Sequence, residues 1–405
     1  MNTKINLLAI VLGTLFLPAA GQQTTIPVPD MGIYAPLPDT LVQIVFLQNR
    51  TLLAAREKYR VATLEARTGN TPSNPEVELG YLFGKPEEMG NRIDFSVTQE
   101  IDFPTTYIHR SHTRELEIVK AKLRLDLTRQ EVLLESSRLW IERVYLNKMN
   151  QIVSNRLIQA DRLLSHYRQQ LSVGEIGQLS FSQANLQSTA LRGELEEIET
   201  EIRKNQVAIG EITGDPNIQV QDTVLPPSLT FNVDTLKSAY EESTLMQYFN
   251  REVALKERQQ QLTASMSLPK ISAGYYSESV LTEQFRGIQV GISIPLWEHS
   301  HQIKLAKSEV IFAEADAERM ASMQRMEVNQ LLERWLSLKK IIVDMEQALS
   351  MVNDIELLNL AWEEGEISLA EYMVGSDLYF RNLQSLLTYR KDQLLVEAEL
   401  NSVYY

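Results

Sequence analysis

The chain has 405 residues, a net charge of −14 and no cysteine. It lacks the basic balance that nucleic acid requires. It also lacks thiols, which removes disulfides, thiolate metal sites, a thiol nucleophile and an acceptor for an N-terminal lipid. The acidity suits cationic cargo, but also an ordinary solvated surface.

Residues 1–22 read as a secretory signal peptide. Lys4 gives a positive start, Ile5 to Leu17 is apolar, and Pro18-Ala19-Ala20-Gly21-Gln22 supplies small residues for cleavage. The apolar stretch is too short to span a bilayer, and no later window predicts a transmembrane helix.

A first repeat runs over 23–214. A helical pattern extends from Pro38 to about Arg67, carried by Leu41, Ile44, Val45, Leu52, Ala55 and Leu64. The run Gly69 to Pro75 breaks it. The period then changes to two. Strands are predicted at 76–84 and 92–101, with Val77, Leu79, Tyr81, Phe83, Ile93, Phe95 and Val97 on one face and Glu76, Glu78 and Asp94 on the other. Their length suits a tilted membrane strand, and the acids suit a wet lumen. A small soluble sheet packed on helices fits the strands equally well.

A helix over 105–172 follows, roughly 100 Å long at ~1.5 Å per residue. Ile118, Leu125, Val132, Leu139, Leu146, Val153, Ala160 and Tyr167 recur along it at heptad spacing. So long a helix with a narrow apolar lane is a coiled coil. Leu133, Trp140, Leu157 and Leu164 lie off that lane, as expected where a helix has neighbours on two sides. Val173-Gly174-Glu175-Ile176 forms a turn, 179–212 a return helix and 215–231 a connector.

A second repeat, 232–405, has the same order. Helix extends to about Ser265, strands lie at 270–277 and 287–296, a long helix at 299–363 and a return helix at 368–403. Pro75 and Gly80-Tyr81 match Pro269 and Gly274-Tyr275 at an offset of 194. The turn Glu364-Gly365-Glu366-Ile367-Ser368 echoes the first. Val328, Leu331, Trp335, Leu338, Ile342, Met345, Leu349 and Val352 form the second seam, and the heptad slips after Val352. The fold class is mixed and mainly α, internally duplicated, with long coiled-coil hairpins and four strands per chain. Four strands cannot close a barrel, so a barrel would need several chains.

This layout resembles the TolC family of outer-membrane channel proteins over nearly the whole mature chain. The resemblance is carried by Asn49 in the first helix, by Ile294-Pro295-Leu296-Trp297 leaving the last strand, and by Gly365-Glu366-Ile367-Ser368-Leu369 at the second tip. Asn74-Pro75-Glu76, Val97-Thr98-Gln99-Glu100-Ile101, Arg110 and Arg114 look most like the heavy-metal branch typified by CzcC and CusC. The resemblance implies a homotrimer with a 12-stranded membrane barrel and an α-barrel crossing the periplasm. It implies a periplasmic adaptor and an inner-membrane pump as partners, with outer-membrane lipid around the strands. Such a channel is a passive conduit: no enzyme, no cofactor, no metal site and no nucleic-acid partner. A drug-efflux or type I secretion channel has the same layout. The alternative of another class is a periplasmic coiled-coil adaptor or scaffold.

The family's first luminal acid falls on Glu371; the second falls on Val374, and Ile367 stands where a basic gate residue is usual. Glu364 and Glu366 are further gate candidates. Gly174, Glu175, Gly365, Glu366 and Ser368 are the adaptor-docking tips, and Phe103 and Trp297 are membrane-interface aromatics, with Tyr81, Tyr275 and Tyr276 as further girdle members. His109 with His112, His299 with His301, and Met320, Met323 and Met326 invite a metal reading. Their spacing matches no ligand set, and the methionines are expected to fill a coiled-coil core. No catalytic triad, phosphate loop or zinc signature is present.

Overall fold

The computed structural model describes residues 37–86, 90–294, 300–351 and 355–405. The signal-peptide segment, Trp297 with the rest of the strand-exit motif after Ile294, His299 and Val352 lie outside the described residues.

The first repeat opens with α1 (Asp39–Gln48) and α2 (Arg50–Arg67), not the single helix expected from Pro38. Asn49 is extended between them (φ −61°, ψ 120°), and its Oδ1 accepts from Leu52 N at 2.8 Å, an N-cap. The second repeat breaks at the equivalent place, over two residues rather than one. α5 (Val233–Glu241) precedes α6 (Thr244–Met266), and Ser243 caps Met246 N at 3.3 Å.

Strands β1 (Glu76–Leu82), β2 (Arg92–Ile101), β3 (Lys270–Val280) and β4 (Glu283–Ser293) form one antiparallel sheet in the order β1-β2-β3-β4. The second hairpin is longer than expected at its turn. β3 runs past 277 to Val280 and β4 starts at Glu283 rather than 287, because only Leu281 and Thr282 turn the chain. Leu281 takes φ +54°, as two-residue hairpins demand.

The first long helix, α3 (Pro104–Ser172), is unbroken over 69 residues with Pro at its first turn, where a missing N–H costs nothing. The second is described in two stretches, α7 (Ser300–Met351) and α8 (Ile355–Glu363). The return helices are α4 (Gln178–Thr213) and α9 (Leu369–Asn401), the latter closed by a 3-10 turn, Ser402–Tyr404. Trp140 and Trp335 are counterparts at an offset of 195, whereas the tip glycines 174 and 365 differ by 191. The second hairpin is therefore about one helical turn shorter, a loss that falls between the Trp pair and the tip, where the heptad slips.

The core is a girdle at mid-height. Val42, Val45 and Phe46 of α1, Val132, Leu133, Trp140, Ile141 and Val144 of α3, Ile209 of α4 and Leu394 and Ala398 of α9 are buried together. The heptad lane of α3 is buried at Val132, Leu146, Val153, Ala160 and Tyr167, and the α7 seam at Val328, Trp335, Leu338 and Ile342. On the sheet side of the girdle α2 packs on α3, α3 on α6 and α6 on α7; on the tip side α4 packs on α3, α3 on α9 and α9 on α7. The elements thus pack side by side as a wall. Met323 and Met326 stand exposed on α7, not in a core within this chain, and Arg319 Nη1 donates to Met323 Sδ at 3.0 Å.

Candidate functional site: a two-faced wall and two tips

Register sorts the sheet into two faces. Val77 pairs with Val97, Leu79 with Phe95 and Tyr81 with Ile93; Val97 pairs in turn with Tyr275, and Tyr275 with Ile288. Side chains opposite one another share a face, so these residues make one continuous apolar surface. It is exposed in the single chain at Val77, Leu79, Ile288, Val290 and Ile292. The other face carries Glu76, Glu78 and Asp94 together, with Arg92, Ser96, Thr98, Lys270, Tyr276, Glu278 and Gln289.

The polar face is internally paired. Arg92 Nε donates to Asp94 Oδ1 at 2.7 Å and lies 3.3 Å from Glu278; Tyr276 OH donates to Asp94 Oδ1 at 3.3 Å. Lys270 Nζ donates to Glu100 Oε1 at 2.8 Å, and Arg110 Nη2 to Asp102 Oδ2 at 2.9 Å. Solvated pairs of this kind set local charge more than stability. Tyr276 is therefore not a girdle aromatic: strand parity places it on the acid face. Tyr81 and Tyr275 are on the apolar face, and Phe103 N-caps α3 and is partly exposed. Sequence reasoning missed Glu278, because the expected strand ends at 277, three residues short of Val280; the alternation of Tyr276 and Glu278 would have found it.

The two tips share one backbone solution. Gly174 (φ +78°) and Gly365 (φ +74°) sit where the helix reverses, Glu175 N donates to Gln170 O at 2.9 Å, and Glu366 N to Ala361 O at 2.8 Å. These are Schellman closures, which need a left-handed residue. Glu175, Glu364, Glu366, Ser368 and Glu371 are all exposed. Glu371 and Ser368 are tied to each other. Ser368 Oγ and N donate to Glu371 Oε2 at 2.7 and 2.8 Å, and Glu371 N donates to Ser368 Oγ at 3.3 Å, a complete capping box.

Those bonds from Ser368 hold the Glu371 carboxyl below its ordinary range. A depressed folded-state pKa means that the box contributes fully above the ordinary carboxylate pKa and is lost as the pH falls through the lower folded value. Ser368→Ala is expected to return the Glu371 titration, followed by carboxyl-selective NMR, toward the ordinary value. An unchanged titration would show that the box does not form in solution.

The hairpins are joined side by side near the tips. Trp362 packs against Leu163, Leu164, Tyr167 and Ala184 of the first hairpin and tilts over Tyr372 at 5.1 Å. Arg156 lies 4.3 Å from the Phe380 ring centroid, and Gln384 donates to Glu194. Within the first hairpin, Asp161 accepts from Ser188 Oγ at 2.5 Å and from Arg192 Nη2 at 3.0 Å; these bonds, the Ser188 one foremost, lower its pKa. Among the described residues no cluster of three His, Cys, Asp or Glu forms a metal site. No helix among them is long and apolar enough to cross a membrane. Asn49 Nδ2 donates to Ile212 O at 2.7 Å, tying the break between α1 and α2 to the end of α4.

Neither a protein-family model nor a curated protein sequence matches the chain. Solved structures do. The outer membrane protein VceC from Vibrio cholerae aligns with a TM-score of 0.73 at 14% identity, over 90% of this chain and 94% of that one. The Campylobacter jejuni CmeC outer membrane channel gives 0.75 at 12%, over 90% and 84%. CusC, described with transmembrane channel formation, gives 0.69 at 14%, over 94% and 97%. The fold is therefore the TolC-like channel fold, with long helices and a four-stranded antiparallel sheet.

Proposed function

We propose that the chain is the outer-membrane channel component of a tripartite efflux system of the TolC family. Three copies close a 12-stranded barrel in the outer membrane and a helical tube in the periplasm. Substrate passes through the lumen, and the protein itself does no chemistry. The observation that carries this reading is the sheet. Its apolar face is exposed in the single chain, its opposite face is charged and hydrogen-bonded, and both edge strands, β1 and β4, lack a second partner within the four-stranded order. A soluble sheet would bury the apolar face; a barrel gives it to hydrocarbon and removes the edges.

In this reading Glu76, Glu78 and Asp94 line the lumen, and Phe103 and Trp297 mark the membrane interface. Gly174, Glu175, Gly365, Glu366 and Ser368 present the tips to a periplasmic adaptor that joins an inner-membrane pump. Glu364, Glu366 and Glu371 ring the periplasmic opening. Residues 1–22 direct export. The cargo class is heavy-metal cations, supported by the acids of the polar strand face and by the resemblance of the segments around Asn74 and Val97.

The mature chain is expected to require detergent for extraction, to sediment as a trimer, and to conduct ions in planar bilayers. A monomer that is stable without detergent would overturn the reading in favour of a soluble scaffold. Cargo is read from a strain lacking the chain. Sensitivity to metal salts supports the metal reading; sensitivity to drugs alone, or loss of a secreted protein, replaces it.

A further inference from the structure

Beside the Trp362 contact, where the two hairpins meet, lies a cavity of about 320 Å³. It is lined by α3 and α4 of the first repeat and by α8 and α9 of the second, so an occupant would touch both hairpins. Its size is at the lower end of the range for small-molecule sites. We propose that this cavity binds a small planar organic anion, an aromatic ring that carries a carboxylate. The site is complete within one chain, so it does not depend on the channel reading.

The lining has an aromatic part and a cationic part. Trp362 and Tyr372 tilt over each other at 5.1 Å, and the Arg156 guanidinium lies 4.3 Å from the centre of the Phe380 ring. These rings offer flat apolar surface to an aromatic ligand. Arg156 and Arg162, both on α3, supply positive charge. No carboxylate among the described residues lines the cavity, although the chain carries a net charge of −14. Neither arginine lies within ion-pair distance of a carboxylate among the described residues. Glu194 and Asp377 act on Arg156 through space, but each is already engaged. Glu194 accepts from Gln384, and Asp377 pairs with Arg381. Burial is the main influence on Arg156 and lowers its pKa, as for a cation drawn from water without a full counter-charge.

Ser376 gives a second, independent observation. It lines the cavity, is 5% exposed, and has no hydrogen-bond partner among the described residues. Ser188, the buried serine of the facing α4, does have one, in Asp161. A buried hydroxyl without a partner is costly, and a carboxylate oxygen in the cavity would accept from it. Other ligand classes fit less well. A cation would meet two arginines. Inorganic phosphate would leave the rings uncovered. An uncharged aromatic would leave Arg156 and the Ser376 hydroxyl unmatched.

Equilibrium dialysis of the detergent-solubilised chain against 2-naphthoate, with uncharged 2-naphthalenemethanol as the comparison, tests the site. Micelles without protein give the partition background. The acid is expected to bind saturably, at a single site per chain, and at least about tenfold more tightly than the alcohol, the least that a hydrogen bond to a charged group supplies. Arg156→Gln should remove that preference. Arg162→Gln lies on an exposed residue and leaves the packing alone, so it should weaken the acid about threefold without touching the alcohol. Ser376→Ala should also act on the acid alone. Circular dichroism shows which variants keep the fold, and Arg162→Gln and Ser376→Ala decide the matter should Arg156→Gln lose it. Equal affinity for acid and alcohol, an acid affinity that none of the folded variants changes, or no saturable binding at millimolar concentration would overturn the proposal.

Discussion

Glu397→Ala is expected to cost about 4 kcal/mol of stability, the largest effect of any single truncation here. Glu397 is 1% exposed. Its Oε1 accepts from Ser228 Oγ at 2.6 Å, Trp335 Nε1 at 3.0 Å and Gln393 Nε2 at 2.9 Å, and its Oε2 accepts from Leu229 N at 2.8 Å. One side chain on α9 therefore holds the connector and α7 together. Alanine would leave several donors without an acceptor in the interior, at about 1–3 kcal/mol for each one that finds no water, and would open a cavity beside Trp335. Glu397→Gln keeps one carbonyl oxygen for the three-donor position and places an amide donor against Leu229 N, so an intermediate loss is expected. Thermal unfolding of the detergent-solubilised chain by circular dichroism measures both. Equal midpoints for Ala, Gln and the native chain would show that this network does not support the girdle.

Gly214→Ala is expected to cost about 3 kcal/mol. Gly214 ends α4 at φ +73°, a left-handed conformation that costs a non-glycine residue roughly 1–2 kcal/mol. An added Cβ would also lie 2.7 Å from Gln48 O, a backbone atom at the break between α1 and α2. That contact adds about 1–3 kcal/mol of overpacking. The same break is tied to α4 by Asn49 Nδ2 on Ile212 O, so the strain would loosen the girdle at a second point. The tip glycines provide the comparison. Gly174 and Gly365 also have positive φ, but an added Cβ meets nothing within 4 Å. Alanine at either tip should cost about 1 kcal/mol, the backbone term alone. Unfolding midpoints of the three variants test the difference; if Gly214→Ala falls no further than Gly174→Ala, the close approach to Gln48 is not rigid.

The strands, the long helices and the tips were legible in the sequence because each depends on local periodicity. Alternation over Glu76–Leu82 and Arg92–Ile101 gave both faces of the first hairpin, and heptads gave α3. What was missed lies where a local pattern is ambiguous. The second hairpin looked shorter because Glu283, Gln284 and Arg286 are polar and Phe285 falls opposite Glu278, on the face away from Ile288, so alternation fades although the ladder continues. The paired breaks at Asn49 and Ser243 were hidden because a cap interrupts the backbone without interrupting the apolar pattern. The resemblance marks Glu371 as a luminal acid, and the pattern Ser368-x-x-Glu371 also makes it half of a capping box, a local role that the sequence reading passed over.

The sequence by itself determined that the molecule is two copies of one unit and that each strand has a wet and a dry side, since both are properties of neighbouring residues. Only the tertiary structure decided which charges meet on the polar face, that Glu397 joins three segments, and which strands form the edges of the sheet. Those depend on residues far apart in the chain being brought into hydrogen-bond range, and no spacing along the sequence encodes that distance.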